Sequence, residues 1–265
     1  MTELTLTAIN RFPVKSMTGD SHQSLEIDAC GFVLDRRWML VDRNGKFLTQ
    51  RQHARMTLIR TRVDDAGRLH LSAPGMPDIA VGDRGGEQLD VVVWQDSVTA
   101  TAVDPQADAW LSDFMSIDCR LVRIPDDVVR PVDPAYAAEG DRVGFADGFP
   151  FLLISQASLD DLNTRLDQPV PMIRFRPNLV VAGCDAFAED GWKRIRIGDI
   201  GFRLVKPCSR CIIPTIDPAT AERSAEPLRT LMSYRKRDNK IYFGQNLIHD
   251  GRGRLEVGMP VEVLE

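Results

Sequence analysis

The residues best suited to chemistry lie in Lys206-Pro-Cys-Ser-Arg-Cys-Ile-Ile-Pro-Thr-Ile-Asp217, where two thiols, a hydroxyl and a guanidinium fall within Cys208 to Cys211. A thiolate is a nucleophile and a soft metal ligand, and Arg210 beside it favours the ionised form. The Cys-x-x-Cys of a thioredoxin-like enzyme opens a helix. Here Ile212, Ile213 and Pro214 follow, a β-branched pair and a helix breaker, so the stretch predicts a loop attached to a strand. A structural zinc site needs four ligands, and the sequence has no second Cys-x-x-Cys and no His-x-x-x-His. Three readings stay open for the tetrapeptide: a thiolate offered to a bound metal, a reactive thiol, or two buried cysteines.

Further candidates stand at the ends of apolar runs. Lys15-Ser16 follows Pro13, Arg36 and Arg37 precede Trp38, Thr49-Gln-Arg-Gln52 closes the next turn, and Arg174-Phe-Arg-Pro-Asn178 precedes an apolar run. Singly, each reads as a solvated strand end, because exposed Arg and Lys are ordinary. Together with Cys211 they describe a basic site for phosphate and carbonyl oxygens, with a thiolate at its far end. Other groups carry less. Glu26 and Asp28 alternate as on a half-exposed strand, and His22, His53, His70 and His249 lack ligand or triad spacing. Gly85-Gly86 in Asp83-Arg-Gly-Gly86 lacks the following helix of a phosphate cradle. Trp38, Trp94, Trp110 and Trp192 read as core anchors.

The elements that must position these groups are mostly strands. Leu4–Ile9, 37–41, 46–49, 56–63, 68–72, 89–94 and 98–103 alternate with period two, and Asn44-Gly45 signals a hairpin. Asp104-Pro105 predicts a capped helix to about Phe114. A Pro-rich connector spans 125–141, with a domain seam expected there. Phe149–Ile154 predicts a buried strand, Ser158-Leu-Asp-Asp161 a helix start reaching about Leu166, and 226–234 one more helix. Runs at 179–182, 200–205, 242–247 and 255–264 return to β. Many short strands without regular β-α-β alternation predict a mainly β, barrel-type architecture.

Composition sets the outer bounds. At 265 residues, 43% hydrophobic and 27% charged, the chain can bury a substantial core as one large or two modest domains. A net charge of −5 argues against general nucleic-acid binding, so any anion site must be local. Five scattered cysteines are no disulfide framework and suit a reducing compartment. The first residues show no secretory pattern and no apolar run approaches the ~20 residues of a membrane span, so a cytoplasmic protein with no membrane association is expected.

An ordered series of motifs then resembles the MOSC family, the β-barrel domain named for the C-terminal region of molybdenum cofactor sulfurase. More closely, it resembles bacterial relatives of the mitochondrial amidoxime-reducing component. The series is Phe12-Pro-Val-Lys-Ser16, Asp35-Arg-Arg-Trp38, Phe145-Ala-Asp-Gly148, Phe175-Arg-Pro-Asn-Leu-Val180, Lys206-Pro-Cys-Ser-Arg-Cys211, Pro227-Leu-Arg-Thr-Leu231 and Phe243-Gly-Gln-Asn-Leu247. The resemblance covers essentially the whole chain and implies an N-terminal MOSC β-barrel-like unit over 1–124 and a MOSC domain over 125–265.

It also implies a molybdenum cofactor, with Cys211 as the protein's metal ligand and Cys208 as a spare thiol. Lys15, Ser16, Arg36, Arg176, Asn178, Ser209 and Arg210 match pterin and phosphate holders, and Gln245 and Asn246 match the cofactor's edge. Asp147 matches an acidic catalytic residue near the metal, while Gly148 and Phe149 depart from the side chains of the mitochondrial relatives. The implied activity is reduction of N-hydroxylated compounds such as hydroxylamines, amidoximes and N-hydroxylated bases. With no iron–sulfur motif or nucleotide fingerprint within the 265 residues, electrons are expected from a separate ferredoxin-like or flavoprotein donor. The rival implication is a cofactor-binding or sulfur-carrier module, against which counts the lack of the pyridoxal-phosphate enzyme fused in sulfurases.

Overall fold

The computed structural model describes residues 3–82 and 85–265; Asp83 and Arg84, half of the glycine-pair turn considered above, lie outside the described residues. The fold is mainly β with three short α-helices, as the sequence predicts. Its largest sheet has nine strands. Eight run in the order Val261–Val263, Arg194–Ile197, Ile200–Ser209, Lys240–His249, Phe151–Ser155, Leu179–Ala182, Thr5–Arg11 and Asp20–His22, and Lys236–Arg237 folds back onto Lys240–His249.

Alternation along these strands divides the core in two. Phe151 and Leu153 face a cluster with Leu6, Ile9, Phe202 and Leu247, where Phe151 meets Phe32 and Phe202 edge-on at 4.9 and 5.4 Å. Leu152 and Ile154 face the other way, onto Leu159, Phe175, Leu231 and Phe243. Burial on both faces explains why 149–154 is apolar throughout.

A four-stranded sheet, ordered Trp38–Val41, Arg120–Arg123, Asp96–Ala102 and Gln88–Val93, repeats the logic. Trp38 and Leu40 pack with Trp110, Leu111 and Phe114 of helix α1 (Pro105–Met115), and Met39 and Val41 pack with Val91, Val98 and Phe145. Helix α1 begins where expected: the Asp104 side chain accepts the Gln106 N–H at 3.0 Å.

The two ends of the chain are interleaved. Thr5–Arg11 pairs with Leu179–Ala182, and Ser24–Asp28 pairs with Gly253–Glu256. Lys15, Ser16 and Arg36 are thereby brought beside Arg176 and the cysteines. Among the described residues no helix is long and apolar enough to cross a membrane.

Several local expectations are corrected. Residues 54–58 form a 3-10 turn before the strand Arg60–Val63, because Met56 and Thr57 turn inward together. The Asn44-Gly45 hairpin is only half built. Asp42 Oδ1 accepts the Asn44 and Lys46 N–H groups, and the second arm divides its pairing between Val41 and Val92. Helix α2 (Gln156–Asn163) is capped by Ser155, three residues before the expected Ser158, which instead donates from within the helix to buried Glu189. Around α2, Phe151–Ser155 and Leu179–Ala182 pair in parallel, a single β-α-β unit in a chain without regular alternation. Gly253–Glu256 and Val261–Val263 are separate strands, not one run.

Candidate functional site

Segments distant in sequence meet at one cavity of about 150 Å³. Its walls include Lys15, Ser16 and Arg36 from the N-terminal region, Asp147, Arg176 and Asn178, and the whole stretch Cys208 to Cys211 with Asn246.

The first segment is fixed by main-chain bonds to the Arg36 turn: the Arg36 N–H donates to Phe12 O at 2.8 Å, and the Phe145 N–H donates to Arg36 O at 2.7 Å. Lys15 Nζ donates to Phe145 O at 2.7 Å and to Asp147 Oδ1 at 2.5 Å. Asn178 Oδ1 accepts from Arg36 Nη1 at 2.8 Å, and its Nδ2 donates to Asn10 O at 3.2 Å. The guanidinium carbons of Arg36 and Arg176 stand 4.5 and 4.2 Å from the centre of the Phe12 ring. Ser16, Arg36 and Arg176 have φ of 65°, 46° and 58°, left-handed values that cost a side-chain-bearing residue roughly 1–2 kcal/mol each. Three such residues around one cavity mark it as a place where the fold tolerates strain.

On the opposite wall, Cys208 and Ser209 both line the cavity although neighbours on a regular strand point to opposite faces. The pairing register with Lys240–His249 shifts between Pro207 and Ser209, and that bulge re-aims the side chains. Arg210 Nη1 donates to Cys208 Sγ at 3.1 Å and Nη2 to Phe175 O at 2.8 Å, while its buried Nε has no hydrogen-bond partner.

Charge is unbalanced here. Lys15, Arg36, Arg51, Arg176 and Arg210 face the cavity or its rim, with Asp35 and Asp147 as the carboxylates that contact them. Arg176 donates to Met17 O at 2.6 Å and, among the described residues, has no carboxylate partner. Burial, and then the neighbouring Arg36, bring its pKa down to about 9. Burial lowers Lys15 to about 8 against the opposing pull of Asp147. The Asp147 carboxyl is crowded, which pulls it up, but Lys15 and Arg51 outweigh this and hold it well below the usual range. Its side chain is 54% exposed, so the carboxylate keeps an open side toward the cavity.

Nearly all the expected site residues are therefore brought together. Gln245 is not: it is the neighbour of Asn246 on the opposite face of the strand, where its Nε2 donates to Asp190 Oδ1 at 2.7 Å. Arg37 and Arg174 are likewise turned away, to Asp28 and Asp217. Arg51 was legible only as part of Thr49-Gln-Arg-Gln52, and its guanidinium reaches Asp147 Oδ2 at 2.8 Å. Burial lowers the Arg51 pKa, but Asp147 and the Cys211 thiol raise it further. Arg130, which no motif singled out, donates to Gly144 O and Ala146 O at 2.8 and 2.7 Å and holds the Asp147 loop in place.

These residues suit an anionic, sulfur-bonded cofactor. Among the described residues Arg176 has no carboxylate hydrogen-bond partner and Arg210 Nε has no acceptor, and a thiol lies at the other end. Among the described residues no three His, Cys, Asp or Glu side chains gather as a metal site, so a metal held by Cys211 would take its remaining ligands from the cofactor.

Fold and site together define the class as a mainly β domain with a basic cavity set against a cysteine thiol. Within that class the chain belongs to the MOSC family: the MOSC N-terminal beta barrel domain matches residues 3–118 and the MOSC domain matches residues 140–262. It is 36% identical to mitochondrial amidoxime-reducing component 1 of Homo sapiens, over 96% of this chain and 81% of that protein. It is 34% identical to mitochondrial amidoxime reducing component 2 of Rattus norvegicus, over 94% and 80%. Molybdenum cofactor sulfurase of Oryza sativa subsp. japonica is 32% identical over 92% of this chain but only 32% of its own length.

Proposed function

We propose that the chain is a molybdenum-cofactor oxidoreductase that reduces N-hydroxylated compounds, with Cys211 as the protein's ligand to the metal. The observation that carries this reading is the cavity joining Arg176, a buried guanidinium with no directly bonded carboxylate among the described residues, to the Cys211 thiol. The relatives named for amidoxime reduction support the activity, and the sulfurase relatives support the cofactor. When bound, the cofactor supplies two-electron chemistry at molybdenum: the N–O bond is cleaved, two electrons and two protons are taken up, and water is released.

In this reading Lys15, Ser16, Arg36, Arg176, Asn178, Ser209 and Arg210 hold the phosphate and pterin, and Asn246 borders the ring. The guanidiniums offer planar paired donors for phosphate oxygens. Lys15 carries the exchangeable proton at Nζ, and the ionised Asp147 carboxylate holds that ammonium toward the reacting oxygen. Gln245 supports the strand from behind. Residues 1–124 and 125–265 act as an N-terminal and a MOSC unit sharing the large sheet. Electrons come from a separate donor protein, ferredoxin-like or a flavoprotein reductase.

Metal and pterin analysis of protein made in cells with an intact cofactor pathway tests this. Metal and pterin near one per chain are expected; protein free of both overturns the reading. Reduction with dithionite followed by an N-hydroxylated base separates it from a sulfur-carrier role. Turnover to the amine supports the reductase, whereas reoxidation without product favours a carrier in which Cys211 holds a persulfide.

A further inference from the structure

Trp94 breaks the pattern set by Trp38 and Trp110, which are buried in the core. It is 43% exposed and stands in the two-residue turn between Gln88–Val93 and Asp96–Ala102, with φ 59°. That position favours Asn or Gly, and a bulky residue there is an outlier held by its surroundings. Its indole lies 4.7 Å from the Arg51 guanidinium and 5.0 Å from the Phe47 ring, and Nε1 donates toward Asp147 Oδ1 at 3.4 Å. A strained, exposed tryptophan anchored to the Asp147 pair is placed for a surface role, not for packing.

The ring borders a second hollow of about 820 Å³, which shares Asp147, Gly148, Cys208 and Cys211 with the inner cavity. Its size is that of a small-molecule site. Its charges balance in number, three cations against three carboxylates: Arg51 pairs with Asp147 and Arg130 with Asp96 at 2.7 Å, while Lys206 Nζ sits over the Tyr136 ring at 4.2 Å and Asp133 Oδ1 accepts the Ala135 N–H. Among its lining it presents the rings of Trp94 and Phe149 and the edges of Pro131, Pro134 and Pro207 to a ligand. Gly148 lies where the two spaces meet, and a Cβ added there would have no heavy atom within 4 Å, so flat groups have room to pass.

We propose that this outer hollow is the acceptor-substrate site and that Trp94 sets its specificity, as a stacking wall for flat, uncharged aromatic or heteroaromatic N-hydroxylated compounds. The assignment rests on the reductase reading above. Stacking leaves the N–O group free to reach the region of Asp147 and Cys211, where the inner and outer spaces meet.

The test compares kcat/KM of the cofactor-loaded protein for benzamidoxime and for a small aliphatic hydroxylamine, driven by dithionite with a viologen mediator. Trp94→Leu is expected to lower the aromatic-to-aliphatic ratio about tenfold, chiefly through KM, and Trp94→Phe to restore most of it. Gly148→Leu, which fills the junction, is expected to lower the same ratio. An unchanged ratio in both leucine variants overturns the proposal, because loss of Arg51 or Asp147 positioning alone depresses both substrates together. Binding of benzamide, an unreactive flat analogue, is followed separately by the NMR shift of the Trp94 indole N–H. Absence of any shift at saturating benzamide also overturns it. If wild type reduces neither substrate, the reductase reading fails, and the benzamide titration still decides whether Trp94 is a ring-binding wall.

Discussion

Lys15 Nζ and Asp147 Oδ1, 132 residues apart in the chain, lie 2.5 Å apart at the cavity, with Arg51 on the carboxylate's other oxygen at 2.8 Å. The lysine is 4% exposed and the aspartate 54%, so one partner is desolvated and the other reaches toward the reaction space. In the proposed reductase that asymmetry would let the buried lysine act as a proton store with an open side. Asp147→Asn removes what raises the Lys15 pKa, so Lys15 is expected to titrate below about 8, read by lysine-selective NMR. Reductase turnover is expected to fall about 100-fold. Unfolding free energy falls by only about 1–2 kcal/mol, because solvent screens the carboxylate's side of the pair.

The cofactor-free protein carries a pH signature of Lys15. Its pKa is lowered from 10.5 to about 8 by burial, so below pH 8 both folded and unfolded chains are protonated and the burial cost is fully present. Between about 8 and 10.5 the unfolded chain binds more protons, so stability rises with pH, by about 3 kcal/mol at most. Urea midpoints at pH 7.5 and 9.5 for wild type and Lys15→Met give the check: wild type gains on the variant across this window. Parallel behaviour would place the Lys15 pKa near its ordinary value.

Arg176 is held left-handed, desolvated and, among the described residues, without a directly bonded carboxylate, which suits an anion ligand better than an unliganded fold. Arg176→Met is expected to shift the thermal midpoint of cofactor-free protein by no more than about 3 °C, since relief of the buried charge offsets the lost bond to Met17 O. Pterin retention through gel filtration should drop at least tenfold. Equal retention would remove Arg176 from the cofactor-holding set.

The two thiols differ in surroundings: Cys208 accepts from Arg210, while Cys211 lies against Arg51 beside Asp147. Cys211→Ser is expected to abolish N-reduction and sharply lower molybdenum content with the circular dichroism spectrum unchanged. Cys208→Ser should retain metal and a substantial share of the rate. Equal losses from both would contradict the assignment of Cys211 as ligand.

Arg130 acts at a distance, through the carbonyls of Gly144 and Ala146 and the carboxylate of Asp96. Arg130→Met leaves buried carbonyls without a donor and is expected to cost about 2–4 kcal/mol in chemical denaturation. The 145–148 loop should then exchange its amide hydrogens faster than the strands of the large sheet.

Much was legible from local signals. Period-two alternation marks Thr5–Arg11, Leu69–Ser72 and Gln88–Val93, and Asp104-Pro105 marks helix α1, because each depends on neighbours within a few residues. The misplaced cap of helix α2 shows the limit: Ser155 and Ser158 are both good caps, and buried Glu189, 31 residues on, engages Ser158. The motif series likewise contained every cofactor-contact candidate, yet it could not sort Gln245 from Asn246, since a strand's facing depends on its register with partners far along the chain.

By itself, then, the sequence determined a mainly β chain, its MOSC kinship and the cluster of basic and thiol groups, because residue type and short-range spacing carry that information. The tertiary structure alone decided that Arg51 and Lys15 share one carboxylate, that Arg130 braces the loop, and that Trp94 stands in the open beside the site. Each of these depends on contacts between segments that no local pattern connects, 132 residues apart for Lys15 and Asp147, 96 for Arg51 and Asp147, and 53 for Trp94 and Asp147.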